Sequence, residues 1–315
     1  MPPFPKPRSR FDYDLDTELA ALRAHRKLRE VPARGEGRLL LATWNIANFG
    51  VQERREKDHR LLAEILSWFD LTAIQEVADD LSGLRAVQEL LPDRYRLLIS
   101  DTAGNDERTA FLYDSRKVKL LELTGRLSIP VSAQRHIKLQ GVEREFRGFD
   151  RSPFLGSFQA GGFRFLLASV HLYFGSEDDA DLERRALEAY AVGRWADLRR
   201  DDEHAYVPDI IALGDFNLPA VDRDDPIYKA LTKRGLALPE HGTEVGGSSL
   251  GGHHHYDQMA FFPGETGEFN RRIAPFDFDN ALFQGLWNPK RPAPFLAYVR
   301  YYVSDHRPLW AEFRV

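Results

Sequence analysis

Eight polar residues stand where apolar strands begin or end, and their types narrow the chemistry they can perform. Asn45 follows the run LLLATW, Glu76 ends LTAIQ, His171 ends FLLASV, and Asp215 and Asn217 end DIIALG. Asp257 opens a late strand, and Asp305–His306 precedes the last one. Such groups are costly at buried strand ends unless they meet and satisfy one another, so convergence on one cleft is expected. Glu76 and Asp305 are hard oxygen ligands suited to magnesium, manganese or calcium. His171 and His306 supply proton transfer or hydrogen bonds to an anion, and Asp257 can orient one imidazole. Asn45 and Asn217 can position a phosphate oxygen or a metal-bound water without adding charge. Together these groups fit attack of water on a phosphoester.

Composition sets the outer bounds. The chain has 315 residues, 43% hydrophobic and 29% charged, which excludes a disordered, fibrous or repeat-built protein. Lysine and arginine total 43 against 48 acids, so the formal charge of −5 argues against a polybasic coat while leaving room for a local basic groove. Cysteine is absent, which removes disulfides, thiolate zinc sites, iron–sulfur clusters and a cysteine nucleophile. Any metal must be held by oxygen or imidazole. No apolar run approaches the roughly 20 residues of a membrane span. The start, MPPFPKPRSR, has no apolar segment after it of the kind a signal peptide needs, so a cytoplasmic location is the expectation.

Positioning the polar groups falls to interleaved strands and helices. Residues 1–37 read as an N-terminal extension. There DLDTELAALRAHRKLRE predicts a helix with Leu15, Leu19, Leu22 and Leu28 on one face, packed outside the domain and ended by PARGEG. Residues 38–315 read as one catalytic domain, without repeats or a linker long enough to divide it. RLLLATWNI and LTAIQEV predict buried strands around a helix over RREKDHRLLAEILSWF, and DLSGLRAVQELLP predicts a second helix. YRLLIS, TAFLYDS, KVKLLEL, SPFLGSFQA and FRFLLASVHLYF predict strands in quick succession. A helix covers 179–200, and strands over DIIALGDF, YDQMAFF and RPLWAEFRV complete the set. Many strands and few helices in mixed order predict two packed sheets flanked by helices.

The blocks WNIANFG, IQEV, SVHL, GDFN, YDQM and SDHRP, in this order, resemble the endonuclease/exonuclease/phosphatase superfamily from about Leu39 to Val315. WNIANFG and TAFLYDS are similar to its deoxyribonuclease I branch. Ala47 departs from the arginine of that branch and from the acidic residue of abasic-site nucleases. The resemblance implies an α/β fold, a four-layer sandwich of two facing mixed β-sheets flanked by helices, with the site at one edge. It implies that Glu76 binds Mg2+, or Mn2+ or Ca2+, with Asn45 and Asp305 close to it. Asp215 would orient or deprotonate the attacking water, Asn217 would hold the phosphate, and His171 would contact the phosphate or protonate the leaving oxygen. His306, buttressed by Asp257, would stabilise the pentavalent transition state or act as base. The implied activity is a metal-dependent phosphodiesterase hydrolysing nucleic acid, DNA favoured. A small phosphoester or phospholipid headgroup is the alternative substrate. A monomer with no obligate protein partner is expected.

Each residue alone has a plainer explanation. Asn45 suits a turn, His171 a satisfied core histidine, Asp215 an Asx-turn, Asp257 a loop cap, and Asp305–His306 beside Arg307 a surface ion pair. All of these must hold together for a site to be absent. A catalytically silent scaffold is the reading from another class, and the intact residue set argues against it. Arg151, at the start of SPFLGSFQA, and Arg300 and Tyr302, in YVRYYVSDH, are candidate substrate contacts, with aromatic core packing the alternative for the tyrosines. Arg108 and Thr109 are candidate supporting groups. The triplet His253, His254 and His255 invites a metal assignment, but Gly251 and Gly252 predict a mobile loop that touches substrate at most.

Overall fold

The computed structural model describes residues 3–251 and 254–315. In chain order the elements are α1 (Leu15–Leu28), β1 (Arg38–Phe49), α2 (Glu56–Leu66), β2 (Leu71–Ala78), α3 (Ser82–Leu90), β3 (Tyr95–Ile99) and β4 (Glu107–Asp114). Next come β5 (Val118–Arg126), the single-turn α4 (Val131–Gln134), β6 (Phe154–Ala160), β7 (Phe163–His171), α5 (Asp179–Arg200) and β8 (Ile210–Asp215). The chain closes with α6 (Pro226–Thr232), β9 (Asp257–Phe261), β10 (Phe269–Pro275), α7 (Ala293–Tyr302) and β11 (Leu309–Arg314).

The strands form two mixed sheets. One is six-stranded in the order β10-β11-β1-β2-β4-β3, and the other is five-stranded in the order β5-β6-β7-β8-β9. Their inner faces pack together through Leu39, Leu41, Phe111, Phe158, Phe165 and Leu213. Behind the six-stranded sheet, Leu40, Ala42 and Trp44 meet residues of α2 and α7. Behind the other, Ala168, Val170 and Ala212 meet α5 and α6. Alternate residues of β1 thus enter two different cores, which is why LLLATW is apolar throughout instead of alternating. The result is the expected four layers, helix on sheet on sheet on helix.

The helix α1 is where the pattern misled. Leu22 is fully buried and Leu15 and Leu19 are partly so, but Leu28 is 70% exposed. At 3.6 residues per turn Leu28 lies roughly 140° around the helix from Leu15. The face is completed instead by two polar residues. Glu18 accepts from the Phe283 backbone N–H at 2.9 Å, and His25 Nε2 meets Asp277 Oδ1 at 2.7 Å. Arg29 reaches the same carboxylate, and burial of Asp277 is outweighed by these partners, so its pKa is lowered. The extension is thereby bonded to the loop behind β10.

A carboxylate of the opposite kind precedes β8. Burial, with help from Glu268 and Glu265, raises Asp209 to about 6. A folded-state pKa above the unfolded value of about 3.9 means the native state binds this proton more tightly, so stability declines as pH rises from about 4 to 6 and stays lower above. Asp209→Asn is therefore expected to raise the thermal midpoint at pH 7.5 and to leave it nearly unchanged at pH 4. Asp209 is partly exposed, so solvent screening holds the gain to about 1–2 kcal/mol.

Candidate active site

Strand register brings three of the polar residues into one row. In the five-stranded sheet the parallel β7 and β8 pair His171 with Asp215, and the antiparallel β9 pairs Asp257 with Asp215. In the six-stranded sheet the parallel β1 and β2 pair Asn45 with Gln75, and the register then shifts on both sides of Glu76. Glu76 takes φ 58°, a left-handed conformation that costs a non-glycine residue about 1–3 kcal/mol and turns its side chain into the cleft. Gly214 has φ 134°, and a Cβ there would lie 2.1 Å from the Val170 carbonyl oxygen, so the residue before Asp215 must be glycine.

The side chains meet across the gap between the sheets. Asn45 Nδ2 donates to Glu76 Oε1 at 2.9 Å and to Asp215 Oδ2 at 3.1 Å. Asp215 divides its labour. Oδ1 accepts from the Asn217 N–H at 2.9 Å in an Asx-turn, while Oδ2 faces His171 Nε2 at 3.7 Å and His306 Nε2 at 3.8 Å. Each imidazole is held from behind by its own carboxylate: His306 Nδ1 meets Asp257 Oδ2 at 2.7 Å, and His171 Nδ1 meets Glu107 Oε2 at 2.9 Å. Burial works against a charge on His306, but Asp257 and Asp215 outweigh it and hold this imidazole protonated. Burial likewise opposes ionisation of Asp215, and the two imidazoles overcome it, so its pKa is lowered. Glu107 is lowered in the same way, by His171 and Arg151 against burial.

The donor set fits a single hard cation. Asn45 Oδ1 is buried and has no hydrogen-bond partner, so a carboxamide oxygen stands ready beside a carboxylate. Burial, with Asp305 and Glu107 adding to it, raises the Glu76 pKa against the opposing pull of His171 and the Asn45 hydrogen bond. Asp305 is half-buried beside His306. No group of three or more His, Asp or Glu side chains able to hold a metal occurs among the described residues.

Of the remaining candidates, Asn217 adopts φ 51° and donates Nδ2 to the Leu172 carbonyl at 2.7 Å, at the lip of the same cleft. Arg151 lies beside the site, but Nε and Nη2 are taken by the carbonyls of His171 and Leu172, so it braces the end of β7. It precedes β6 instead of opening it. Tyr302 is corrected. It lies in α7, 8% exposed, packed on Tyr298 and Tyr301 under the Arg55 guanidinium, and offers no free stacking face. Arg300, on the same helix, lies against the Phe4 ring. Arg108 pairs with Asp79. His253 lies outside the described residues, His254 stacks on Tyr256, and His255 approaches His241.

Glu107 escaped the sequence reading, because an acid opening the strand ERTAFLYD resembles an ordinary exposed strand end. Ser304 was missed as well. Its Oγ donates to the Asn45 carbonyl at 2.7 Å and accepts from His306 N and Ala47 N, which fastens SDHRP to the end of β1. Arg54 completes the joint: its buried guanidinium donates to Ala47 O at 2.6 Å and Val303 O at 3.0 Å. Arg54→Met removes the side-chain donor to the Val303 carbonyl and one of the two to the Ala47 carbonyl, which keeps Gln52 Nε2, and is expected to lower unfolding free energy by roughly 1–3 kcal/mol, measured by denaturant titration.

No family model and no curated protein matches the chain. Solved structures do. An endonuclease/exonuclease/phosphatase family protein from Bacteroides thetaiotaomicron superposes with a TM-score of 0.56 at 19% identity, covering 87% of this chain and 94% of that one. A mannosyl-6-phosphatase from the same organism gives 0.56 at 18% identity, covering 87% and 98%. TDP2 from D. rerio, complexed with a single-strand DNA product, gives 0.55 at 16% identity, covering 89% and 100%. The two facing sheets, their flanking helices and these superpositions show that the chain has the α/β-sandwich fold seen in endonuclease/exonuclease/phosphatase family structures.

Proposed function

We propose that this chain is a divalent-metal-dependent phosphodiesterase that hydrolyses nucleic acid, DNA favoured, by attack of water on phosphorus. The observation that carries this reading is Asp215 Oδ2 set between two imidazoles, at 3.7 and 3.8 Å, each oriented by a separate carboxylate. A carboxylate and two oriented imidazoles converging on one point supply the acid, base and charge-stabilising groups that attack of water on phosphorus uses. Asp215 Oδ2 takes a proton from the water whose oxygen bonds to phosphorus. Protonated His306 holds the charge growing on the phosphoryl oxygens. His171 Nε2 gives its proton to the ester oxygen as its bond to phosphorus breaks. Glu76, Asn45 and Asp305 would hold the metal, which supplies Lewis-acid stabilisation of that same charge when bound. Asn217 limits where the phosphate can sit.

An aromatic ledge beside the dyads supports a substrate carrying a planar group. The Tyr256 ring lies 6.0 Å from that of His306, with His254 stacked on it at 4.9 Å and Phe174, 38% exposed, edge-on at 6.2 Å. Bases stack on such surfaces without regard to sequence. The mannosyl-6-phosphatase among the superposed structures favours a second reading, a phosphatase for a small phosphoester. Pure protein incubated with Mg2+, Mn2+ or Ca2+ against plasmid DNA, single-stranded DNA, RNA and a panel of sugar and lipid-headgroup phosphates separates the two. Strand cleavage that stops with chelator supports the nuclease. Phosphate release from the panel alone replaces it with the second reading.

A further inference from the structure

The proposed mechanism leaves one fully buried cation without a task. Arg185, in the second turn of α5, is wholly shut off from solvent. Arginine is almost never buried to this degree without partners that hold its charge. Its guanidinium donates to three main-chain carbonyls, from Nη2 to Phe174 O at 2.6 Å and Ser176 O at 3.1 Å, and from Nη1 to Asn217 O at 3.2 Å. Phe174 and Ser176 belong to the loop after β7, and Asn217 to the loop after β8. The Phe174 ring also lies over the guanidinium, 4.6 Å from its carbon to the ring centroid. One cation therefore joins the residue at the lip of the cleft to a ring of the aromatic ledge. Glu188, one turn further along α5 and equally buried, grips the same loop with the opposite polarity. It accepts from the Tyr173 N–H at 3.1 Å and from the Asp150 N–H at 3.0 Å.

We propose that Arg185 is a positioning residue, which couples the grip on phosphate at Asn217 to the stacking of a base on Phe174. The inference rests on the nucleic-acid reading of the site. A guanidinium is a planar fork of donors, so acceptors on two loops that share it are fixed relative to each other. The loops have one other tie, from Asn217 Nδ2 to Leu172 O at 2.7 Å. A single hydrogen bond lets them pivot, whereas the added fork holds both the left-handed Asn217 and the half-exposed Phe174 in place. The reacting groups do not depend on this joint. Asp215 and His171 are set by strand register, and the two imidazoles by Asp257 and Glu107. Loss of Arg185 should therefore weaken substrate binding and spare the chemical step. Lysine is no substitute, because a compact ammonium cannot reproduce a fork that reaches carbonyls on both loops.

The test is binding of a labelled single-stranded oligodeoxynucleotide to the full chain in chelator, followed by anisotropy, beside an oligomer of the same backbone with abasic residues. Arg185→Lys should weaken the oligonucleotide by about tenfold and the abasic oligomer by less, while kcat with Mg2+ stays within about threefold of the parent. Phe174→Ala should weaken the oligonucleotide alone. The double variant should fall little below Arg185→Lys, because both changes undo one arrangement. A residue that served only the fold would weaken both ligands equally. Should Arg185→Lys fail to fold, Phe174→Ala and Asn217→Ala decide the matter: overlapping losses support the coupling, and additive losses overturn it. Parent-like affinity in Arg185→Lys, or equal losses on the two ligands, overturns the inference alone if the parent cuts DNA. A parent that cuts no nucleic acid with Mg2+, Mn2+ or Ca2+ removes the nuclease reading and the inference with it.

Discussion

Asp215→Asn and His306→Asn each lower kcat by about 10²–10⁴-fold, the contribution of a positioned general base for Asp215 and of a preorganised charge-stabilising donor for His306. The two changes should not add. Asp215 Oδ2 and His306 Nε2 lie 3.8 Å apart and act together on one transition state, so the double variant should fall little below the weaker single one. KM should move less than kcat, because neither group is needed until charge develops. Asp257→Asn provides a sharper reading. Asp257 heads the charges that hold His306 protonated, so its removal lowers the His306 pKa and the protonated form is lost at lower pH. The alkaline limb of kcat/KM against pH should then move down while the melting temperature stays close to the parent. Glu107→Gln should leave that limb in place, because Glu107 meets the other imidazole. An unmoved limb in Asp257→Asn, or a kcat loss smaller than tenfold in Asp215→Asn, would sink the assigned roles.

Glu76→Gln should abolish the response to Mg2+ and reduce kcat by roughly 10²–10⁴-fold, equivalent to the several kcal/mol a bound cation supplies. It should also make the metal-free protein more stable. Burial raises the Glu76 pKa, so its ionised form at neutral pH works against the folded state, and a neutral amide relieves that. Parent protein should gain melting temperature on addition of Mg2+, and Glu76→Gln should not. Lower activity together with higher stability is the mark of a site kept for function at a cost in folding. A variant that loses both would instead show that Glu76 is a structural residue, holding Asn45 and the Asn48 backbone through its two oxygens.

Much of this arrangement could be read in the chain. Both faces of β1 are buried, so LLLATW announced a central strand, and the polar residue after it announced an edge. Helix 179–200 was legible to the residue because its ends carry the charges that favour them, Asp179 and Asp181 first and Arg199 and Arg200 last. β10 was not, since Arg271 and Arg272 interrupt its apolar run on an exposed sheet edge. α7 was not either. Its tyrosines suit a strand as well as a helix, and only burial of Phe295, Tyr298, Val299 and Tyr302 at helical spacing decides the matter.

Residue types and their places at strand ends pointed to phosphoester chemistry with a hard cation and to a shared cleft. The Asp257–His306 pairing was expected from the sequence resemblance, and the tertiary structure added the others. Glu107 and Asn45 sit on one sheet while their partners His171 and Asp215 sit on the other, and His306 reaches Asp257 across the same gap. Periodicity reports which face of an element is buried, a property of neighbours along the chain. The stacking of one sheet on another is set by packing between residues more than a hundred positions apart, and no local pattern encodes it.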